Sequence, residues 1–287
     1  MQKCNLVLSG GGVRSYAHLG VYRYLCENNI EINEIAAVSG GAIVAPFIFV
    51  KREVDKLIRL FKETKLHRLL FPVWFVPDKF EFLFIEPKTI KLGEWVEKQF
   101  SEAELKQIHS TDKLHIMATK NPLCSVKAIY TDMLGITDLK NSIAASSTIS
   151  GIFKEHFVND CTYIDGGHWT NCPIFFNFND KSLPVVAVSL GYPGLLEKNE
   201  GRISKIIKGL EISSYARVQE DIQGWEFEKS CKKRGDLFVV NPPIWNIDSL
   251  NFNLKSWQID DVIETGYKAA KEALSIGVQH SEPLRVN

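Results

Sequence analysis

The chain has 287 residues, of which 45% are apolar and 24% charged, and its 34 Lys and Arg equal its 34 Asp and Glu. This composition supports a large hydrophobic core and excludes a disordered chain. Zero net charge leaves no overall basic field for nucleic acid, so any membrane contact must come from a local surface.

The start, Met1-Gln2-Lys3-Cys4-Asn5, lacks the layout of a signal peptide, and no apolar run is long enough to span a bilayer. A cytosolic start is the expectation, although export without a signal peptide leaves no trace of this kind. A first strand at 5–8 leads into Ser9-Gly10-Gly11-Gly12-Val13-Arg14-Ser15 and a helical pattern at 14–27. Three glycines let the backbone approach a ligand and aim amide hydrogens at one spot, and the helix start adds positive partial charge. The loop therefore suits an anion. A nucleotide fits poorly, because Ser15 breaks the dinucleotide pattern, the second strand ends without an acid, and no phosphate-loop lysine motif exists. A transient oxyanion fits better.

The next apolar run, 34–38, enters Ser39-Gly40-Gly41, and the helical run Ala42-Ile43-Val44-Ala45 leaves it. A serine on a sharp strand-to-helix turn flanked by small residues is a nucleophile elbow. Ala37 stands where the first glycine is usual. Ala187-Val188-Ser189-Leu190-Gly191 is spelled almost alike, but Tyr192-Pro193-Gly194 follows and breaks a helix. Ser39 is therefore the candidate nucleophile.

Further helices are expected at 53–62, 89–100, 204–221 and 260–275, the last ending near Gly277, and Ser101 with Glu104 reads as a capping box. Further strands are expected at 114–119, 126–130, 163–164, 185–190 and 237–240. Alternating strands and helices predict an α/β fold in three layers, with a mostly parallel central sheet flanked by helices. No linker or repeat divides it, so a single domain over 1–287 is expected, with its motifs in 5–190. The aromatic segment 71–87 has two readings, a completed core or a cap facing lipid. Cys4, Cys26, Cys124, Cys161, Cys172 and Cys231 lack zinc-site spacing and read as buried free thiols.

A serine nucleophile needs a base. His280 and His168 fit the order of an α/β-hydrolase, with His280 in a polar tail; His18 reads as partly buried and structural. His67, His109, His115 and His156 offer no evident role. Asp165, closing a short strand before Gly166-Gly167, is either an Asp-Gly turn or a carboxylate brought close to another backbone.

Gly10-Gly11-Gly12-Val13-Arg14 with His18 and Gly20, Val38-Ser39-Gly40-Gly41-Ala42, and Asp165-Gly166-Gly167 with Asn171 and Pro173 resemble the patatin-like phospholipase family. The Ala144–Phe153 stretch resembles that family's alanine-serine segment, so the likeness spans about 5 to 190. Ala37, Ser15 and Gly151 depart from the pattern, and none is a reacting group. The resemblance implies a lipid acyl hydrolase with a Ser-Asp dyad of Ser39 and Asp165, requiring no metal or cofactor. It implies an oxyanion hole at Gly10, Gly11 and Gly12, with Arg14, Gly41, Gly166 and Gly167 in support. The partner it implies is a phospholipid or other acyl-ester lipid, met at a membrane surface without spanning it. Competing readings are a thioesterase or peptidase using His280, and a noncatalytic lipid-binding module. Lys205, Lys208, Lys232, Lys233 and Arg234 read as a solvated charged face with contact to anionic lipid as the alternative.

Overall fold

A computed structural model describes residues 1–70, 88–121, 130–191 and 202–275. Outside them lie the aromatic segment 71–87, Cys124, most of the strand expected at 126–130, Tyr192-Pro193-Gly194, Gly277 and His280, and the side chains of His67, Lys205 and Lys208.

The strands β1 (Lys3–Leu8), β2 (Glu31–Val38), β3 (Leu114–Lys120), β4 (Tyr130–Asp132), β5 (His156–Val158), β6 (Cys161–Asp165), β7 (Val185–Val188) and β8 (Leu237–Val240) form one sheet. Its parallel part runs β3-β2-β1-β7-β8, and β4, β5 and β6 join antiparallel. Helices α1 (Ala17–Glu27), α2 (Gly40–Phe49), α3 (Val54–Glu63), α4 (Leu66–Leu70), α5 (Ile90–Glu97), α6 (Glu102–Ser110), α7 (Leu139–Ser146), α8 (Arg202–Ser230) and α9 (Ser256–Ser275) complete the described fold.

The alternation of side chains on the central strands explains why they read as apolar throughout. Leu6, Leu8, Ile35, Ala37, Val186 and Val188 enter one core with residues of α1, α2 and α9. Their neighbours Val7, Ala36, Val185 and Ala187 enter a second core with Val218 and Trp225 of α8 and with Cys172, Ile174 and Phe178. The expected three-layer α/β arrangement is what forms. Ala37 is fully buried on the first face, so its methyl adds to the core there.

A local signal sets the start of α6. Ser101 and Glu104 form the capping box of α6, and the expected helices at 204–221 and 260–275 lengthen to α8 and α9. The expected strand at 185–190 stops at Val188, and Asp165 is itself the last residue of β6. β5, α4 and α7 are additions that short, weakly periodic segments do not announce. The thiols divide: Cys4 and Cys172 are buried, Cys161 is intermediate, and Cys26 and Cys231 are exposed, because the latter two sit at helix ends facing solvent.

Edge geometry along β3 decides where the site forms. Lys113 and Asn121 bond to Ile35 and Thr162 respectively, whereas Ile116 bonds to Met133 and Asp132 of the β4 side. Successive residues of a strand direct their backbone groups to opposite edges. β2 and β6 therefore share one edge of β3: β2 pairs with 114–117 and β6, running the other way, with 118–120. Their C-terminal ends meet head to head.

At the other end of β2 lies a cluster the sequence reading passed over. His115 contacts Asp132 through Nδ1 at 2.6 Å and Glu34 through Nε2 at 3.0 Å, and Phe176 stacks on its ring. Burial pushes the imidazole down, but the two carboxylates outweigh it and raise its pKa to about 9. A raised value means stabilisation is complete below the ordinary histidine value of about 6.5 and is lost as pH rises through about 9. The span corresponds to roughly 3 kcal/mol. Urea unfolding at pH 6 and pH 10 is expected to show this loss in the native chain, and His115→Gln is expected to abolish that part of it.

Candidate active site

Each element end supplies one part of the site. β1 ends in the glycine loop, β2 in Ser39, and β6 in Asp165. Ser39 has φ 51° and ψ −121°, a region that costs a residue with a side chain about 1–3 kcal/mol. The surroundings hold it there. Its N–H donates to Ser146 Oγ at 2.8 Å, and the Ser146 hydroxyl donates to the Met117 carbonyl at 2.7 Å. Gly41 passes so close to β1 that a methyl on it would lie 2.5 Å from the Leu8 carbonyl, which is why the turn needs a glycine there. Ser189 has no such setting: it follows β7 with no helix starting at 189–191, and its N–H donates to Val240.

Asp165 is buried, accepts the Gly167 N–H at 2.7 Å through Oδ1, and lies near enough to the Ser39 hydroxyl for that group to pull its pKa down. Burial raises its pKa to about 6, against the opposing pull of the nearby Ser39 hydroxyl and of the Gly167 N–H. Its own N–H donates to the Thr148 carbonyl at 2.7 Å. The Ala144–Phe153 stretch thus anchors both candidate residues, Ser39 through Ser146 and Asp165 through Thr148. The sequence marked this stretch but not which of its residues act.

The glycine loop divides its labour. The sequence groups Gly10 with Gly11 and Gly12 as amide donors, but Gly10 N–H donates to the Asn171 carbonyl at 3.0 Å. The Asn171 amide returns a bond to the Gly10 carbonyl at 3.2 Å, so Gly10 fixes the loop instead of facing a ligand. Among the described residues the Gly11 and Gly12 amides have no hydrogen-bond partner, and both residues line the cavity that Ser39 and Asp165 line. Gly12 has φ +55°, and a methyl on it would lie 2.0 Å from the Ser249 carbonyl. Arg14 is buried; its Nε donates to the Ile247 carbonyl at 2.7 Å and its Nη1 pairs with Glu211 at 3.2 Å. Arg14 therefore ties the loop to α8.

The cavity encloses about 560 Å³, within the range of small-ligand sites. Ile149, Ile152 and Leu190 give it an apolar wall, and Trp169, Arg217 and Glu220 a wall of mixed character. The last two lie on α8, outside every motif in the sequence.

The histidines fall elsewhere or are otherwise engaged. His168 lines the cavity, and its Nε2 accepts the Ser150 N–H at 3.2 Å. His18 is fully buried, not partly, with Nε2 on the Ser9 carbonyl at 2.9 Å; burial lowers its pKa to about 4, so it stays neutral. Ser15 places its hydroxyl against Gly40.

A hydroxyl beside a buried carboxylate, with two amides unpaired among the described residues and an apolar wall, provides groups for nucleophilic attack, proton transfer and charge stabilisation. A family model described as patatin-like phospholipase matches residues 6–176. The chain is similar to the uncharacterized protein R571 of Acanthamoeba polyphaga mimivirus, at 24% identity over 82% of this chain and 89% of that protein. It is also similar to lysophospholipase NTE1 of Mycosarcoma maydis, at 24% identity over 94% of this chain but only 14% of that much longer protein. Among solved structures, VipD from Legionella pneumophila shares the fold with a TM-score of 0.56 at 13% identity, over 96% of this chain and 67% of that one.

Proposed function

Because this chain belongs to the patatin-like phospholipase family, we propose that it is a lipid acyl hydrolase that cleaves acyl esters of phospholipids with Ser39 as nucleophile and Asp165 as base. The observation that carries the reading is the Ser39 hydroxyl beside a buried Asp165 carboxylate, at a strained elbow lining the same cavity as Gly11 and Gly12. The lysophospholipase relative supports a lipid ester as substrate.

Ser39 Oγ attacks the acyl carbonyl as its proton passes to Asp165. The carbonyl oxygen becomes an oxyanion, which the Gly11 and Gly12 amides bind. Collapse of this intermediate breaks the ester bond, and the departing alcohol takes the proton from Asp165. Water then attacks the acyl-enzyme, gives its proton to Asp165, and releases the fatty acid as Ser39 regains its hydrogen. An ordinary carboxylate, with pKa near about 3.9, is a weak base for a hydroxyl; burial of Asp165 brings it nearer the task. No histidine enters this scheme.

The test measures fatty acid released from phosphatidylcholine vesicles and labelling of Ser39 by a fluorophosphonate. Both are expected for the native chain. His168→Ala and His280→Ala are each expected to retain hydrolysis within about fivefold, because neither supplies the transferred proton; loss beyond about 10²-fold would assign the base to histidine. Vesicle binding without fatty acid release or labelling would leave a lipid-binding module.

A further inference from the structure

The cavity wall made by α8 carries charges that the hydrolytic scheme does not use. Glu211 is committed, receiving Arg14 at 3.2 Å and the Ser249 hydroxyl at 2.7 Å. Arg217 and Glu220 differ. Both line the cavity and both are exposed, and among the described residues neither forms an ion pair. They lie three residues apart on α8, a spacing that places them on one helix face. The Arg217 guanidinium instead lies over the Trp169 ring, 5.6 Å from its centroid. Trp169 also lines the cavity, four residues beyond Asp165. A guanidinium stacked on an aromatic face keeps its edge donors for an anion. One turn earlier, the Ser214 hydroxyl lines the same wall, buried and without a partner among the described residues. Asp221 is half-buried on this helix and feels the charge of Arg217.

We propose that Arg217 and Glu220 form a headgroup subsite for zwitterionic glycerophospholipids and their lyso forms, with Arg217 holding the phosphate and Glu220 the cationic amine. This rests on the hydrolase reading and names its substrate class. A phosphodiester with an amine two carbons away presents the opposite charge pair to the one on the wall. An anionic headgroup satisfies Arg217 but meets repulsion at Glu220, and a neutral glyceride leaves both charges unmatched. Trp169 braces Arg217 toward the cavity, and the Ser214 hydroxyl offers another donor.

The experiment compares kcat/KM for phosphatidylcholine, phosphatidylglycerol and diacylglycerol with the same acyl chains, in matched mixed micelles. Arg217→Gln is expected to lower the phosphatidylcholine-to-diacylglycerol ratio about 10- to 100-fold, the worth of a charge-assisted hydrogen bond. Glu220→Gln is expected to lower the phosphatidylcholine-to-phosphatidylglycerol ratio about tenfold. Equal losses on all three lipids, or unchanged ratios, overturn the subsite while leaving the hydrolase reading in place. A second measurement needs no turnover: monomeric dodecylphosphocholine, which has no ester, is titrated into the Ser39→Ala chain. Arg217→Gln in that background is expected to weaken binding at least about tenfold. Arg217-dependent binding, with no ester hydrolysis by the native chain, would retain the subsite and remove the hydrolase reading; binding independent of Arg217 overturns the subsite.

Discussion

Asp165→Asn is expected to lower kcat/KM for acyl esters about 10³-fold or more, and Ser39→Ala at least about 10⁴-fold, with the fold kept in both. The two substitutions remove chemistry and little else. Asn at 165 keeps an oxygen to accept the Gly167 N–H, now at 2.7 Å, but cannot take a proton. Ala at 39 keeps the backbone amide that donates to Ser146 and loses only the hydroxyl. The two variants are expected to unfold within about 1 kcal/mol of the native chain. The pH profile adds an independent check. Asp165 must be ionised to accept the proton, and its pKa of about 6 places the acidic limb of kcat/KM there. Activity is expected to fall about tenfold per unit below that value and to level off above it. An Asp165→Asn chain that retains a fifth of native activity, or a native limb near pH 4, would remove this carboxylate from the role of base.

Gly12→Ala is the second large effect expected, and it arises from the backbone. The residue has φ +55°, and the added methyl would lie 2.0 Å from the Ser249 carbonyl, which also accepts the Val13 N–H at 2.9 Å. The loop can relieve that clash only by moving the Gly11 and Gly12 amides away from the cavity. Loss of an oxyanion donor costs about 10²- to 10³-fold in kcat. The substitution is therefore expected to lower kcat by at least that factor and to destabilise the chain by about 1–3 kcal/mol. Gly209→Ala is the control: it lies in α8 with no described residue within 4 Å of the added methyl. It is expected to stabilise by up to about 1 kcal/mol through helix propensity. If Gly12→Ala behaves like Gly209→Ala, the loop geometry does not govern the reaction.

These two cases also show how much of the site could be read in the sequence. The glycine loop and the elbow are each complete within about ten residues, because each is a strand, a turn and a helix start whose chemistry is local. Ala37 departs from the elbow pattern but faces the core beside α2, a distinction that alternation along a strand makes only once its neighbours are known. Asp165 was visible as a motif, but its pKa was not, because burial is a property of packing. Gly10 was grouped with the donor amides; only the approach of Asn171, far along the chain, shows that its N–H is committed.

The sequence by itself determined the α/β class, the order of the motifs and the identities of the candidate nucleophile and amide loop, and left the base to the family resemblance. Each depends on periodicity, turn chemistry or residue type within one segment. Tertiary structure alone decided that β2 and β6 end against each other on one edge of β3, which brings Ser39 to Asp165. It also decided that Ser146 holds the elbow, that Glu34 and Asp132 charge His115, and that α8 sets Arg217 and Glu220 on the cavity wall. Those are contacts between residues distant in sequence. Strand pairing and helix packing fix their distances, and no local pattern encodes them.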